Sequence, residues 1–198
     1  MAAPLTYPVR LDFDADRHIT RWHPLVQWLL AIPHLLIAQV LSRLRSVLTF
    51  LSFFTVLFTE RIPRALFDMI AMTYRYEWRA LSYALFLHED YPPFDFQPSA
   101  TDDGRERHTS VTIDYPERLN RWKPLYKWFL AIPHYLVMVV LAVASVVAVV
   151  AALLAVLFTG EYPKGLRDFV VNAYRYGLRV EAYAGLLTDA YPPFRLAR

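Results

Sequence analysis

From Trp128 to Thr159 the chain carries no Asp, Glu, Lys or Arg, and His134 is the only ionisable side chain in the run. About 18 consecutive apolar residues already mark a membrane-helix candidate. A soluble core would have to cover such a helix on every side, and a chain of 198 residues has too little surrounding structure for that. The run therefore predicts an integral membrane protein. Composition agrees, with 56% hydrophobic and 16% aromatic residues. The formal net charge of +3 comes from an Arg-rich balance, which points to membrane topology and anionic lipid rather than to nucleic acid. There is no cysteine, which excludes disulfides, thiolate metal sites and thiolate nucleophiles. The first two dozen residues carry Arg10, Asp12, Asp14, Asp16, Arg17 and Arg21 with no apolar core before Leu25. They do not read as a signal peptide.

The run has a counterpart earlier in the chain. Residues 21–94 align with 121–194 without a gap, and about 32 of the 74 positions are identical, which marks a tandem duplication. Arg21-Trp22-x-Pro24-Leu25-x-x-Trp28 returns as Arg121-Trp122-x-Pro124-Leu125-x-x-Trp128, and Ala31 to His34 as Ala131 to His134. Leu57-Phe58-Thr59 and Pro63 return as Leu157-Phe158-Thr159 and Pro163. Tyr74-Arg75-Tyr76-x-x-Arg79 returns as Tyr174-Arg175-Tyr176-x-x-Arg179, and Tyr91 to Phe94 as Tyr191 to Phe194. Together these motifs resemble the bacterial membrane family known as domain of unknown function 4389, twice over and along nearly the whole chain. The second copy is the closer match. The first departs by having Glu60-Arg61-Ile62 where the second has Gly160-Glu161-Tyr162. The resemblance implies a bacterial cytoplasmic membrane location and brings no activity with it.

The duplication divides the chain into a first membrane module, 1–94, a polar linker, 95–108, and a second module, 109–198. Each module opens on an alternating stretch, Val9 to Asp14 or Ser110 to Asp114, the pattern of a half-buried strand. Trp22, Trp28, Trp122 and Trp128 follow beside basic residues at the mouth of each apolar segment, the composition of interfacial anchors. The segments themselves cover about 25–58 and 125–158, too long for one upright span and short for two. Two readings stand, one kinked helix around the internal Pro or a helical hairpin. Arg43 and Arg45 favour the hairpin, because two arginines at a bilayer centre would cost at least about 2.5 kcal/mol each. A hairpin also keeps the remaining basic stretches on one side, gives both copies the same orientation and leaves the termini cytoplasmic. The last element, about 63–89 and 163–188, carries Asp168, Asn172, Arg175 and Arg179 at helical spacing, an amphipathic membrane-surface helix.

Few residues offer chemistry. His34 and His134 recur once per copy and form a candidate polar pair near a pseudo-twofold axis; without nearby carboxylates they make an incomplete metal site. Arg75, Arg79, Arg175 and Arg179 sit one turn apart among tyrosines, where guanidinium groups can clamp lipid phosphate. The competing role is internal pairing with Asp68, Asp168, Glu77 or Glu181. Arg43 and Arg45, present in one copy only, mark a lipid or partner contact or a hairpin bend. No phosphate loop, metalloprotease motif, catalytic carboxylate pair or nucleophile elbow appears. The fold expected is mainly α, an integral membrane protein of two pseudo-symmetric modules. Its expected role is a non-catalytic accessory or scaffold subunit docking on other membrane protein subunits, with anionic lipid around it and neither cofactor nor metal. A small homo-oligomeric channel and a lipid-binding or membrane-shaping protein are the alternatives.

Overall fold

The computed structural model describes residues 7–102 and 106–196. Along the chain come β1 (Val9–Phe13), α1 (His23–Thr59), α2 (Arg64–Ala84), β2 (Thr109–Ile113), α3 (Lys123–Thr159) and α4 (Lys164–Ala184). Each copy contributes one strand, one long helix and one shorter helix.

The long helices are unbroken, so the hairpin expectation was wrong. Each has 37 residues, or roughly 55 Å at 1.5 Å per residue. Pro24 and Pro124 occupy the first turn, where a missing N–H is harmless, and the helices continue through Pro33 and Pro133. Arg45 does not force a turn because it belongs to the inner stripe. Pro24, Gln27, Ala31, His34, Ala38, Leu41, Leu48, Ser52 and Val56 are buried, three and four residues apart, and Arg45 fills the gap in that series. Both helices end on a left-handed residue, Glu60 at φ 59° and Gly160 at φ 76°. The glycine adopts that conformation freely. Glu60 is held there by Arg118 and Arg121, at 2.5 and 2.7 Å from its carboxylate.

α1 packs against α2 and α3 against α4, but the copies are joined crosswise. β1 and β2 pair antiparallel, with Val9 opposite Ile113, Leu11 opposite Val111 and Phe13 opposite Thr109. A pair of equivalent antiparallel strands is related by a twofold perpendicular to the sheet, here through Leu11 and Val111. β1 of the first copy lies on α4 of the second, and β2 lies on α2. Ile19 N donates to Gly160 O at 2.9 Å, and its symmetry mate Leu119 N donates to Glu60 O at 2.8 Å. The start of α1 thus meets the end of α3, and the end of α1 meets the start of α3. The two long helices run antiparallel.

Three layers stack along the pseudo-twofold. Val9, Leu11, Val111 and Ile113 turn the inner face of the sheet onto α2 and α4, and α1 and α3 form the third layer. The expectation that α2 and α4 are membrane-surface helices is corrected: they form the middle layer, with Phe67, Ile70, Trp78 and Tyr176 buried. Trp78 ties all of this together. It is fully buried, stacks on Tyr174 at 4.4 Å between ring centroids and meets Phe13 edge-on at 6.1 Å. Trp78→Ala removes contacts among β1, α2 and α4 at once. A loss of about 3–5 kcal/mol is expected, read as a lowered thermal midpoint of the full chain in mild detergent.

Candidate functional site

The histidines do not form a pair. His34 Nδ1 lies 2.9 Å from Tyr76 Oη, and His134 Nδ1 lies 2.6 Å from Tyr176 Oη. Each ring is stacked on the phenylalanine of its own copy's Tyr-Pro-Pro-Phe motif, Phe94 at 4.2 Å and Phe194 at 4.0 Å. Tyr91 and Tyr191 close each cage edge-on. The motif that ends each copy is therefore a latch over its own histidine, and sequence repetition of both halves was the available signal. Among the described residues no group of three His, Asp or Glu could hold a metal ion.

The four repeated arginines are each held by partners inside the chain. Arg75 donates to the carbonyls of Gln97, Ser99 and Thr101. Arg79, nearly fully buried, binds Asp95 at 3.2 Å and Asp102 at 2.7 Å. Arg175 donates to Leu11 O and Asn172 Oδ1, both at 2.8 Å, and Arg179 donates to Arg195 O at 3.3 Å. They are internal: Asp168 acts electrostatically on Arg175 as expected, while the hydrogen-bond partners above lie mostly on the backbone and on Asp95 and Asp102. The stretch read as a linker, at least over 95–102, is a strap held down by Arg75 and Arg79; residues 103–105 lie outside the described residues. Asp68 pairs instead with Arg64.

Glu77 and Glu181 converge on Arg45. Its guanidinium stands 2.5 Å from Glu77 and 3.6 Å from Glu181, and 4.0 Å above the Tyr74 ring. One side chain of α1 thereby clasps α2 and reaches across to α4. Burial pushes the Glu181 carboxyl up to about 7, with Arg45 pulling it back. Its side chain nonetheless keeps 39% of its surface open.

Arg43 points the opposite way. It is exposed on the outer face of α1 between exposed Gln39 and Ser46, and among the described residues it has no hydrogen bond or ion pair. The same positions of α3 are Val139, Val143 and Val146, each more than 60% exposed. The four anchor tryptophans are also exposed, at 58–61%. Because the long helices are antiparallel, Trp22 and Trp28 stand at one end of the α1–α3 layer and Trp122 and Trp128 at the other.

A polar pair on the sheet side escaped the sequence reading. His88 is buried with Nε2 3.1 Å from Ser82 Oγ, and its ring is 5.0 Å from His108. His108 Nε2 lies 2.7 Å from Asp90. The two histidines belong to no repeated motif, so only the fold brings them together. Burial pushes His88 down to about 4, and neighbouring His108 adds to this. Burial also opposes charge on His108, but hydrogen bonds to Asp90 and to the Asp14 carbonyl outweigh it and hold that ring above its ordinary range.

These features define a class: a duplicated, mainly helical protein in which two long apolar helices underlie two shorter ones and a two-stranded sheet. The family model for the domain of unknown function DUF4389 matches residues 21–95 and again 121–195, and the chain belongs to that family as two tandem copies. No curated protein and no solved structure matches it.

The His88 geometry fixes a pH dependence. A histidine at about 4 when folded and 6.5 when unfolded protonates first in the unfolded chain as pH falls. Its contribution to stability is complete above 6.5 and is lost between 6.5 and about 4. The slope is at most about 1.4 kcal/mol per pH unit. Thermal melts of wild type and His88→Gln across this window should differ, the variant being flatter. Parallel curves would exclude the assignment.

Proposed function

We propose that this chain is a membrane-embedded, non-catalytic accessory subunit whose long helices lie in the plane of one leaflet and whose α1 face docks on an integral membrane partner. Membrane contact is supported by exposure. Both long helices are long and apolar enough to cross a bilayer, and the most apolar stretch of α3 is only 11% buried. A core helix of a soluble protein would be covered.

The in-plane arrangement is supported by the pseudo-twofold. It runs perpendicular to the long helices and passes through the sheet, so the sheet sits half-way along them. Were α1 and α3 upright, exposed charges such as Arg10 and Asp114, 47% and 49% open, would lie at the bilayer centre, where each is expensive. With the helices flat, the sheet faces water, the outer face of α1 and α3 meets the acyl chains, and all four tryptophans lie at headgroup level. The chain has no native cysteine, so topology can be read with single cysteines at opposite ends of the slab. Arg17→Cys and Glu117→Cys should both react with an impermeant maleimide from the same side of the membrane. Labelling from opposite sides would establish crossing helices instead.

The docking role rests on one observation, the polar stripe Gln39, Arg43 and Ser46 on the outer face of α1, where α3 has three valines. Against acyl chains an unpaired arginine costs about 2.5–3.5 kcal/mol or more, which a carboxylate on a partner would offset. A symmetric homodimer through the same face would oppose arginine to arginine, so the reading commits to a different protein. Full-length tagged chain, purified from native membranes in gentle detergent, should bring down one partner in stoichiometric amount. Arg43→Lys should retain that partner, while Arg43→Val and Arg43→Glu lose at least tenfold of it and still insert. Equal recovery by all three variants, or a homo-oligomer carrying only lipid, would sink the docking role. The second outcome would favour a lipid-binding or membrane-shaping function.

A further inference from the structure

The two copies differ sharply at one place beside the pseudo-axis. In the first copy large side chains occupy this region: Arg45 lies over Tyr74, Glu77 pairs with Arg45, and Trp78 is fully buried against Tyr174. The equivalent positions of the second copy are Ser145, Gly177 and Leu178, and Thr73 has become Ala173. Four side chains have lost volume together. What they leave is a cavity of about 220 Å³ between α3 and α4, walled by Met138, Leu141, Ser145, Ala173, Gly177 and Glu181 among others.

Gly177 indicates that the space is kept open. It lies inside α4 with no left-handed backbone, and a Cβ there would meet only the Met138 methyl, at an ordinary 3.6 Å. Neither a turn nor a close approach requires glycine, yet glycine within a helix costs about 0.5–1 kcal/mol relative to alanine. Any larger residue would grow into the cavity. An apolar void of about 150 Å³ already holds a benzene-sized guest, so this one accommodates a stretch of hydrocarbon chain. Ala142 on its wall lies one helical turn from the exposed Val139 and Val146 of α3. Glu181 is the one charged side chain on the wall.

We propose that the α3–α4 cavity is a binding site for one acyl chain of a membrane phospholipid, present in the second copy only. The proposal rests on the membrane contact argued above, and one experiment separates the two. The full-length protein is reconstituted into phosphatidylcholine vesicles that contain phosphatidylcholine with a diazirine in one acyl chain. After photolysis the adducts are mapped by peptide mass spectrometry.

Labelling of the α3 outer face, Leu136 to Val147, reports membrane contact by itself. Adducts on Ala173, Gly177 or Glu181, at least fivefold above those on the filled counterparts Thr73, Glu77 and Leu81, report the site. Gly177→Leu should abolish the α4 adducts, leave those on the outer face unchanged and raise the thermal midpoint of delipidated protein. Ser145→Leu, filling the same space from α3, should do likewise and serves if the first variant folds poorly. Outer-face labelling without α4 adducts, or α4 adducts that survive both fillings, would overturn the site. Absence of labelling on both surfaces would overturn membrane contact, and the site with it.

Discussion

Two backbone hydrogen bonds related by the pseudo-symmetry, Ile19 N to Gly160 O and Leu119 N to Glu60 O, govern the shape of the molecule. They fasten each long helix by its start to the end of the other, and two helices joined at both ends can only lie side by side and antiparallel. The strand pairing of Leu11 with Val111 then places the twofold across the helices and not along them. Had the copies joined start to start, the axis would follow the helices and the sheet would cap one end. The sheet, with its charges, is instead held over the middle, and the molecule acquires one polar and one apolar broad face. Each strand rests on the other copy's helix, so neither copy can complete its own layers. That is the strand-exchange logic familiar from swapped dimers, here within one chain.

The arginines follow from this layering. A short irregular segment crossing the middle layer carries backbone carbonyls that need donors. Arg75 supplies several at once to Gln97, Ser99 and Thr101, while Arg79 neutralises Asp95 and Asp102. Guanidinium suits this role because it offers five donors in a fixed plane. Arg175 plays the corresponding part against the Leu11 carbonyl of the strand. Polar groups that looked like a lipid clamp are therefore what lets the chain cross between layers. The exposed apolar side chains lie on the outer sides of α1 and α3.

The repeat, the helical content, the exposure of the tryptophans and the family were all legible in the residues, because each depends on local pattern. The course of α1 was misread for an identifiable reason. Arg43 and Arg45 were taken together as a break, whereas two residues apart on a helix they face different directions. The position of Arg45 in the series 38, 41, 45, 48 was the signal that it points inward with partners. The His–Tyr contacts, and the arginines that hold the strap, lay in repeated motifs whose partners are far apart in sequence, so the motifs were visible but their pairing was not. The antiparallel course of the two long helices was beyond reach. It depends on which copy each strand pairs with, a long-range choice that leaves no trace in local periodicity.

Duplication supplies an internal comparison that a single module would lack. Positions that both copies need stay the same: the histidine, its tyrosine and phenylalanine, the strapped arginines. Differences run through the middle of the long helices, at 42–46 and 48–55 against 142–146 and 148–155, and over 39–46 the inner and outer faces diverge in opposite senses. The first copy is filled inside by Arg45, Glu77 and Trp78 and polar outside at Gln39 and Arg43. The second is hollow inside at Ser145 and Gly177 and fully apolar outside. Random drift on an exposed apolar helix would exchange one apolar residue for another; it would not strand an arginine on one outer face while emptying the other helix within. The pairing of a polar outer face with a filled interior, and of an apolar outer face with a hollow one, is what a division of labour predicts. On the proposed reading one copy would meet protein and the other lipid, with the pseudo-axis setting the two surfaces side by side.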